Sequence, residues 1–179
     1  MTGTDRLRLV PLVRVHAEAL ARGPAALAAL LGIAVPMGWP KFPEAFFRHD
    51  GSPRPPDTPP AWPGYLFVSP AIGAVVGNGG FTGPPDAAGV VEIGYEIAPA
   101  YRGRGLATEA VREMLAVAFA DGAVRAVRAH TLAETTASGR VLEKAGMRFV
   151  TEVDGDEGGA VWRWELHRDD TLRESAPTS

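Results

Sequence analysis

Two arginines alternate with two glycines in the segment of the chain that is best suited to chemistry. Residues 92–107 read EIGYEIAPAYRGRGLA, an apolar strand pattern followed by Gly103 and Gly105 and then by a helical pattern. A glycine turn in front of a helix directs several backbone N–H groups at one point, an arrangement that binds phosphate. Arg102 and Arg104 add positive charge at the same place. The segment therefore predicts an anion site.

This turn differs from other phosphate-binding and nucleic-acid-binding patterns. The dinucleotide fingerprint requires a third glycine where the chain has Thr108, and the Gly-Lys-Ser/Thr of a P-loop does not occur. Arginine–glycine tails that bind RNA are repeated and disordered, whereas this segment occurs once, between two apolar elements.

A second informative block lies downstream, where residues 130–149 read HTLAETTASGRVLEKAGMRF. The turn, written Arg102-x-x-Gly105-x-Ala107, resembles the R/Q-x-x-G-x-G/A segment of the GNAT superfamily, the acetyl-CoA-dependent N-acetyltransferases. The second block is similar to the Asn-x-x-Ser and Val-Leu-Glu-Lys-x-Gly-Phe pattern of the GNAT subgroup that includes the ribosomal-protein alanine and serine N-acetyltransferases. Together the two blocks cover about residues 90–150.

The resemblance implies acetyl-CoA as the cosubstrate and assigns its binding to backbone groups. The pyrophosphate would lie on the N–H groups of the turn and of the first helical turn, at Arg104, Gly105, Leu106, Ala107 and Thr108, beside Arg102 and Gly103. The pantetheine arm would pair with the splayed edge of the preceding strand, at Glu96, Ile97 and Ala98. An N–H of residues 95–97 would donate to the thioester oxyanion.

Three side chains are candidates for the base that takes the amine proton. Alkyl ammonium groups have pKa values of about 10, so the proton must be removed before attack. Glu92 is the leading candidate because many family members place a glutamate on this strand. Glu96 lies on the same strand face, and His130 ends another strand with a suitable imidazole pKa.

The resemblance also predicts what happens at the leaving thiolate. Many family members use a tyrosine that matches Leu142, which cannot donate a proton. Ser138, the serine of the Asn-x-x-Ser pair, is predicted to lie near the sulfur and to donate to it. Thr135 replaces the usual asparagine, so it is predicted to contact the pantetheine or to cap the following helix. Trp39, Trp62 and Phe81 are candidates for the wall of an acceptor pocket.

Periodicity supplies the elements that must position these residues. Strands are predicted over 6–10, 64–68, 71–77, 90–98, 124–131, 149–153 and 160–166, with a break at 78–80. Helices are predicted over 13–31 with an interruption at Gly23-Pro24, around 44–49, from Leu106 to about 120, and over 136–145 with Gly146 at its end. This order predicts an α/β (α+β) fold of the GNAT kind, with a mixed, mostly antiparallel sheet of about six to seven strands and helices on both faces. Residues 1–167 are predicted to form one domain, followed by a polar, frayed tail over 168–179.

Composition narrows the functional classes. The 179 residues include no cysteine and four histidines and carry a formal net charge of −3, so no metal site, cysteine nucleophile or nucleic-acid partner is expected. There is no secretory signal pattern and no apolar run long enough for a membrane span, which leaves a cytoplasmic location as the expectation. The proline-, glycine-, alanine- and arginine-rich composition is typical of a GC-rich bacterial coding sequence.

The leading functional prediction is an N-acetyltransferase in which a primary amine attacks acetyl-CoA directly in a ternary complex. The acceptor is either a small-molecule amine or a peptide N-terminus, and the sequence favours neither. The alternative is a non-catalytic acyl-CoA-binding or sensor module, because the usual tyrosine and asparagine are missing. The oligomeric state is left open between a monomer and a homodimer.

Overall fold

A computed structural model describes residues 2–3, 6–155 and 158–174 of the chain. The strands are β1 (Thr2–Gly3), β2 (Arg8–Pro11), β3 (Gly64–Ser69), β4 (Ala74–Phe81), β5 (Val90–Ile97), β6 (Ala126–Leu132), β7 (Arg148–Asp154) and β8 (Ala160–His167). The helices are α1 (Arg14–Ala21), α2 (Pro24–Leu31), α3 (Leu106–Ala120), α4 (Ala137–Lys144) and α5 (Arg168–Glu174). Short 3-10 turns cover Pro43–Ala45 and Pro99–Tyr101. None of the described helices is long and apolar enough to cross a membrane.

The strands form one sheet in the order β1-β2-β3-β4-β5-β6-β8-β7. All neighbours are antiparallel except β5 and β6, which run parallel. The predicted fold class is confirmed: β2 to β8 are the seven predicted strands, and the two-residue β1 adds an edge that the sequence did not indicate.

The sheet splits between β5 and β6. Their parallel pairing covers only Val90–Glu92 against Ala126–Arg128. On its other side β5 stays paired with β4 as far as Ile97, which is opposite Gly77. The second half of β5 therefore presents an edge that no described strand covers, directly before the glycine turn.

Helices cover both faces of the sheet, as the alternation along β3 shows. Tyr65 and Phe67 belong to the core beneath α3 and α4, whereas Leu66 belongs to a second core beneath α1 and α2. The first core extends over β5, β6 and β8, and the second is confined to the side of β3 and β4. The face of β6 and β8 that bears Arg128 is therefore on the side opposite α3, beyond the second core.

Strand β4 differs from its prediction at both ends. It begins at Ala74 after a turn in which Gly73 N–H donates to Ser69 O, and it continues through the predicted break as far as Phe81. The glycines there allow close packing between strands: a Cβ on Gly79 would lie 2.6 Å from Gly94 O, and one on Gly80 would lie 2.5 Å from the Cα of Gly64. They mark close approach of backbones rather than an interruption.

The chain beyond the last strand is also more ordered than predicted. Residues 168–174 form α5, and Arg168 donates from Nε to Val124 O at 2.8 Å and from Nη2 to Asp121 O at 2.6 Å. These bonds, with the guanidinium over the Phe119 ring, explain why the segment does not fray. Residues 175–179 lie outside the described residues, and the division of the chain at residue 167 stays a prediction.

Candidate active site

The glycine turn brings the N-terminus of α3 to the open edge of β5. Gly105 is the N-cap of α3 with φ of 79°, and Gly103 has φ of 74°. A Cβ at either position would meet no heavy atom within 4 Å, so the left-handed conformation rather than lack of space accounts for glycine here.

Several backbone N–H groups at this turn have no protein acceptor in the described structure. Among the described residues, no N–H from Gly103 to Thr108 donates to another protein group, and α3 begins its own ladder with Glu109 N–H on Gly105 O at 3.1 Å. No side chain caps the helix. These unpaired donors and the positive end of the helix dipole make a site for an anion such as a diphosphate.

The two arginines of the turn also bond to its backbone. Arg102 Nε donates to Ile97 O at 3.0 Å, and the Arg104 guanidinium lies 5.8 Å from the centre of the Tyr101 ring. Further cations, which the sequence analysis did not select, line a cavity of about 570 Å³ next to Gly105 and Thr108: Arg6, Arg112 and Lys144, together with the carboxylates of Glu109 and Glu113. The cations come from separate parts of the chain, so sequence analysis could not group them. Arg112 alone could have been related to the turn, because it lies four residues after Thr108 and so on the same face of α3.

Alternate residues of β5 direct their backbone N–H and C=O groups toward β4, and the residues between them direct these groups toward the open edge. Ala98 N–H donates to Val76 O at 2.9 Å, and Glu92 O accepts from Thr82 N, so the backbone groups of even-numbered residues point toward β4. Those of Tyr95 and Ile97 point the other way, and Ile97 O accepts from Arg102. Of the three residues predicted to pair with pantetheine, Ile97 is thus the one with backbone groups at the open edge, while Glu96 is paired with Asn78.

A second cavity, of about 590 Å³, is lined by residues of β4 and β5, Glu96 among them, and by the segment that precedes β3. Its apolar wall includes Trp62 and Phe81, two of the predicted aromatics, with ring centres 4.9 Å apart in an edge-to-face contact. Trp39, the third, is instead buried against Phe46 in the second core. The charged residues of the lining are Glu44, Arg54 and Glu96.

Glu96 is the polar group at the buried end of this cavity. Its side chain accepts from Lys41 N–H at 3.1 Å and from Phe42 N–H at 3.5 Å, and the residue is only 8% exposed. Burial raises the pKa of the carboxyl group, against smaller opposite effects of these two N–H groups and Arg102. Asn78, opposite Glu96 in the ladder, is 5% exposed and keeps an Oδ1 that no donor reaches in the described structure.

The other two candidate bases form a pair at the point where β5 and β6 separate. His130 Nδ1 lies 3.1 Å from Glu92 Oε1, so the carboxylate fixes the orientation of the imidazole. Neither residue is part of the lining of the 590 Å³ cavity, although Gly94, between Glu92 and Glu96 on the same strand face, is. The three candidates thus divide into one carboxylate in the cavity and one carboxylate–imidazole pair beside it.

The start of α4 corrects one sequence prediction. Thr136, not Thr135, is the N-cap, because Thr136 Oγ1 accepts from Gly139 N–H at 3.1 Å. A threonine pair offers two equivalent caps to sequence analysis, and the helix register selects the second. Thr135 and Ser138 are exposed at this end of α4, and Leu142 is fully buried in the core.

A tyrosine that the sequence analysis did not select as an acid joins β5 to α4. The Tyr95 hydroxyl donates to the backbone O of Ser138 at 3.2 Å, and Tyr95 also lines the 590 Å³ cavity. Burial raises the pKa of this phenol, so it stays protonated at neutral pH. Sequence analysis could not identify this contact, because Tyr95 and Ser138 are 43 positions apart in the chain.

Comparisons with known proteins agree with this geometry. A family profile described as acetyltransferase (GNAT) domain matches residues 6–148. An acetyltransferase (GNAT family) from Bacillus anthracis is similar in structure, with a TM-score of 0.63 and 19% identity over 94% of this chain and 98% of that one. AAC(6′)-Ib in complex with ribostamycin and coenzyme A has a TM-score of 0.65 and 15% identity over 97% and 99% of the two chains.

The subgroup resemblance finds weaker support. Ribosomal-protein-S5-alanine acetyltransferase from Vibrio fischeri has a TM-score of 0.55 and 16% identity, over 62% of this chain and 63% of that one. No curated protein matches the sequence. The family profile, which spans the turn at the head of α3 and all but the last residue of the second sequence block, shows that the chain belongs to the GNAT family of acetyl-CoA-dependent acetyltransferases.

Proposed function

We propose that this protein transfers the acetyl group of acetyl-CoA to the primary amine of a small molecule bound in the cavity at Glu96. The observation that carries the proposal is the placement of two sites on β5: the uncapped N-terminus of α3 follows its open edge, and the buried carboxylate of Glu96 on the same strand lines a cavity. AAC(6′)-Ib, which shares the fold, is a solved example with a small amine-bearing molecule and coenzyme A.

The residues of the turn would bind the diphosphate of acetyl-CoA. The N–H groups of Arg104, Gly105, Leu106, Ala107 and Thr108 would hold the diphosphate, with Arg102, Gly103 and the cations of the 570 Å³ cavity around them. At the open edge of β5, Ile97 would pair with the pantetheine, and the N–H of Tyr95 or Ile97 would donate to the oxyanion. Thr135, exposed before α4, is a further proposed contact for the pantetheine.

Proton transfer must be provided at two atoms. The amine nitrogen forms a bond to the acetyl carbon as the carbon–sulfur bond breaks. A bound ammonium loses one proton before attack and a second as the amide forms, and the sulfur gains one, so one proton is released to solvent overall. Glu96 is the proposed base because it lies in the cavity and because burial raises the pKa of its carboxyl group, which brings that pKa closer to the pKa of the ammonium group that gives up the proton. The Glu92–His130 pair is the alternative, acting through water from the point where β5 and β6 separate.

The proton for the sulfur is assigned to the junction of β5 and α4. Two hydroxyl groups lie there, the one predicted from sequence at Ser138 and the phenol of Tyr95. We place Tyr95 ahead of Ser138, because its side chain spans the distance from the cavity lining to α4 and because a phenol is a stronger acid than an aliphatic hydroxyl even where burial raises its pKa.

Glutamine substitutions at the two carboxylates test the proposal. Thiol release from acetyl-CoA and the acetylated product are measured with a panel of small amines and one tripeptide. For the best acceptor, Glu96→Gln is expected to lower kcat/KM by about 100-fold or more at pH 7.5 and Glu92→Gln by less than about fivefold. Because the Glu96→Gln enzyme lacks its base, its rate should rise steeply as pH approaches the pKa of the amine.

The possible results separate the alternatives. A larger loss for Glu92→Gln than for Glu96→Gln would assign the base to the Glu92–His130 pair. A preference for the tripeptide would replace the small molecule with a peptide N-terminus. Tight coenzyme A binding in calorimetry without turnover of any amine would support a sensor module and refute the proposal.

A further inference from the structure

The lining of the cavity at Glu96 restricts the class of amine that fits, and this inference depends on the function proposed above. The buried end of the cavity is polar, at Glu96 and Asn78, while the remaining wall is largely aromatic, aliphatic and proline. We infer that the acceptor is a monoamine with a single positive charge and an apolar, ring-sized body, and not a polycation.

Charge gives the first argument. Among the described residues of the lining, the ionic groups are two carboxylates and one guanidinium, at Glu44, Glu96 and Arg54. An ammonium group at Glu96 leaves Glu44 and Arg54, which balance each other. A second or third ammonium would meet the exposed rim, where one carboxylate attracts it and one guanidinium repels it, so the lining offers no net attraction for further positive charge.

The position of the polar groups gives the second argument. Glu96 accepts from two backbone N–H groups and retains capacity for further donors, which matches the three donors of an ammonium group. The adjacent Asn78 carboxamide has an oxygen without a donor. Two buried acceptors with remaining capacity thus lie together at this end, so one cationic group is held there while much of the remaining wall is apolar.

The wall gives the third argument. Leu12, Trp62 and Phe81 line the cavity together with Pro55, Pro56 and Pro60. Phe42 adds a ring that is 54% exposed, although its own N–H bonds to Glu96. An aromatic side chain left half in solvent at the rim of an enclosed carboxylate gains most by covering the apolar part of a ligand.

Three amines test the inference: phenethylamine has one charge and a ring, ethylamine has one charge and no ring, and spermidine has several charges and no ring. The wild-type kcat/KM is expected to be about 100-fold higher for phenethylamine than for spermidine and at least about tenfold higher than for ethylamine. A preference for spermidine over phenethylamine would overturn the inference while leaving the proposed function intact. Absence of acetylated product from every amine would refute the proposed function itself.

Substitution at the rim separates the ring effect from a general loss of activity. Phe42→Ala keeps the N–H that bonds Glu96, and it is expected to raise the KM of phenethylamine about tenfold with little change for ethylamine. Met37→Ala is the matched control, because Met37 is an 82% exposed apolar residue of the same connecting segment that does not line the cavity. Equal changes for both amines in Phe42→Ala would contradict a ring contact.

Charge reversal tests the other half of the inference. Arg54→Glu gives the lining a third carboxylate, so the ratio of kcat/KM for spermidine to that for phenethylamine is expected to rise about tenfold. Arg48→Glu makes the same change at an exposed arginine outside the lining and should leave the ratio at its wild-type value. An unchanged ratio in Arg54→Glu would show that charge at the rim does not select the acceptor.

Discussion

Strand β5 carries two proposed sites, the cosubstrate side at its open edge and the acceptor side at Glu96, and these two sides are built from different parts of the chain. On the open edge, the groups proposed to hold the diphosphate are chiefly backbone N–H groups within the six residues from Gly103 to Thr108, with the cations of the 570 Å³ cavity around them, and nothing in the described structure caps these N–H groups. The proposed acceptor site at Glu96 is lined by side chains and by four glycines that come from residues 12 to 96. One site is chiefly local and made of backbone, and the other is assembled by tertiary structure.

This difference indicates which properties of the protein can vary independently. Backbone donors do not depend on side-chain identity, provided that the turn can adopt its positive φ angles, so this set of donors is sensitive chiefly to substitution of the glycines. The acceptor site depends on each side chain at the rim and can change its ligand by single substitutions. The predictions that follow ask whether the two sides separate in this way.

Among the predictions that compare these two sites, the largest effect is expected for Gly105→Val. A β-branched residue at φ of 79° costs about 1–2 kcal/mol, and a turn that relaxes to avoid this cost moves its N–H groups away from the diphosphate. The dissociation constant of coenzyme A should rise about tenfold or more in calorimetry, while the order of preference among amines stays the same.

Gly122→Val is the matched control for that variant. Gly122 lies just after α3, its φ is not positive, and a Cβ there would meet nothing within 4 Å. Its coenzyme A affinity is expected to equal that of the wild type. If Gly105→Val instead altered the preference among amines and left coenzyme A binding intact, the assignment of the two sides would be reversed.

A smaller effect is expected where the two sides meet, at Tyr95. Tyr95→Phe removes the hydroxyl that bonds Ser138 O, so kcat with acetyl-CoA should fall about tenfold, and less with an acetyl thioester whose thiol is more acidic. Ser138→Ala retains the backbone carbonyl and should change kcat by about twofold. A merely structural role for Tyr95 would slow both thioesters equally, and a larger loss in Ser138→Ala would restore the serine as the donor.

The sequence was informative where function depends on short-range geometry. Gly103, Gly105 and the start of α3 could be predicted because a turn, its glycines and the following helical periodicity lie within one window of sequence. The fold class followed from the order of the elements for the same reason. The glycines of β4 were misinterpreted, because one residue type serves both in breaks and in close strand packing, and only the partner strands distinguish these uses.

Long-range contacts could not be predicted from one sequence. Phe42, Arg54 and Tyr95 join the proposed sites through tertiary structure, and no periodicity relates them to Glu96 or Ser138. Both candidate glutamates were found on β5, but sequence analysis preferred Glu92. That one of them enters a cavity and the other meets His130 depends on where the loop around residue 42 and strand β6 lie.

The two sides also differ in how their helices begin, which gives the smallest predicted effect. Helix α3 starts without a side-chain cap, whereas at the start of α1, beneath the acceptor side, His16 Nδ1 accepts from Val13 N–H at 3.3 Å. Only a neutral imidazole accepts this bond, and burial lowers the pKa of His16 below its usual value. The unfolded chain therefore binds the proton more readily, so this contribution to stability is present above about pH 6.5 and is lost as pH falls through the lower folded-state pKa.

Thermal unfolding at pH 7.5 and 5.5 measures this contribution. In His16→Gln the amide oxygen can still accept from Val13 N–H at both pH values, as in a capping box. The wild type should therefore lose about 1 kcal/mol more stability than His16→Gln on acidification, or about 2–4 °C in Tm. His49→Gln, at an exposed histidine, is the control and should follow the wild type. Equal losses of stability in all three proteins would show that α1 does not depend on a neutral His16. The cap on α1 would then make no measurable contribution to the free energy of unfolding, and the contrast with the uncapped α3 would have no energetic consequence.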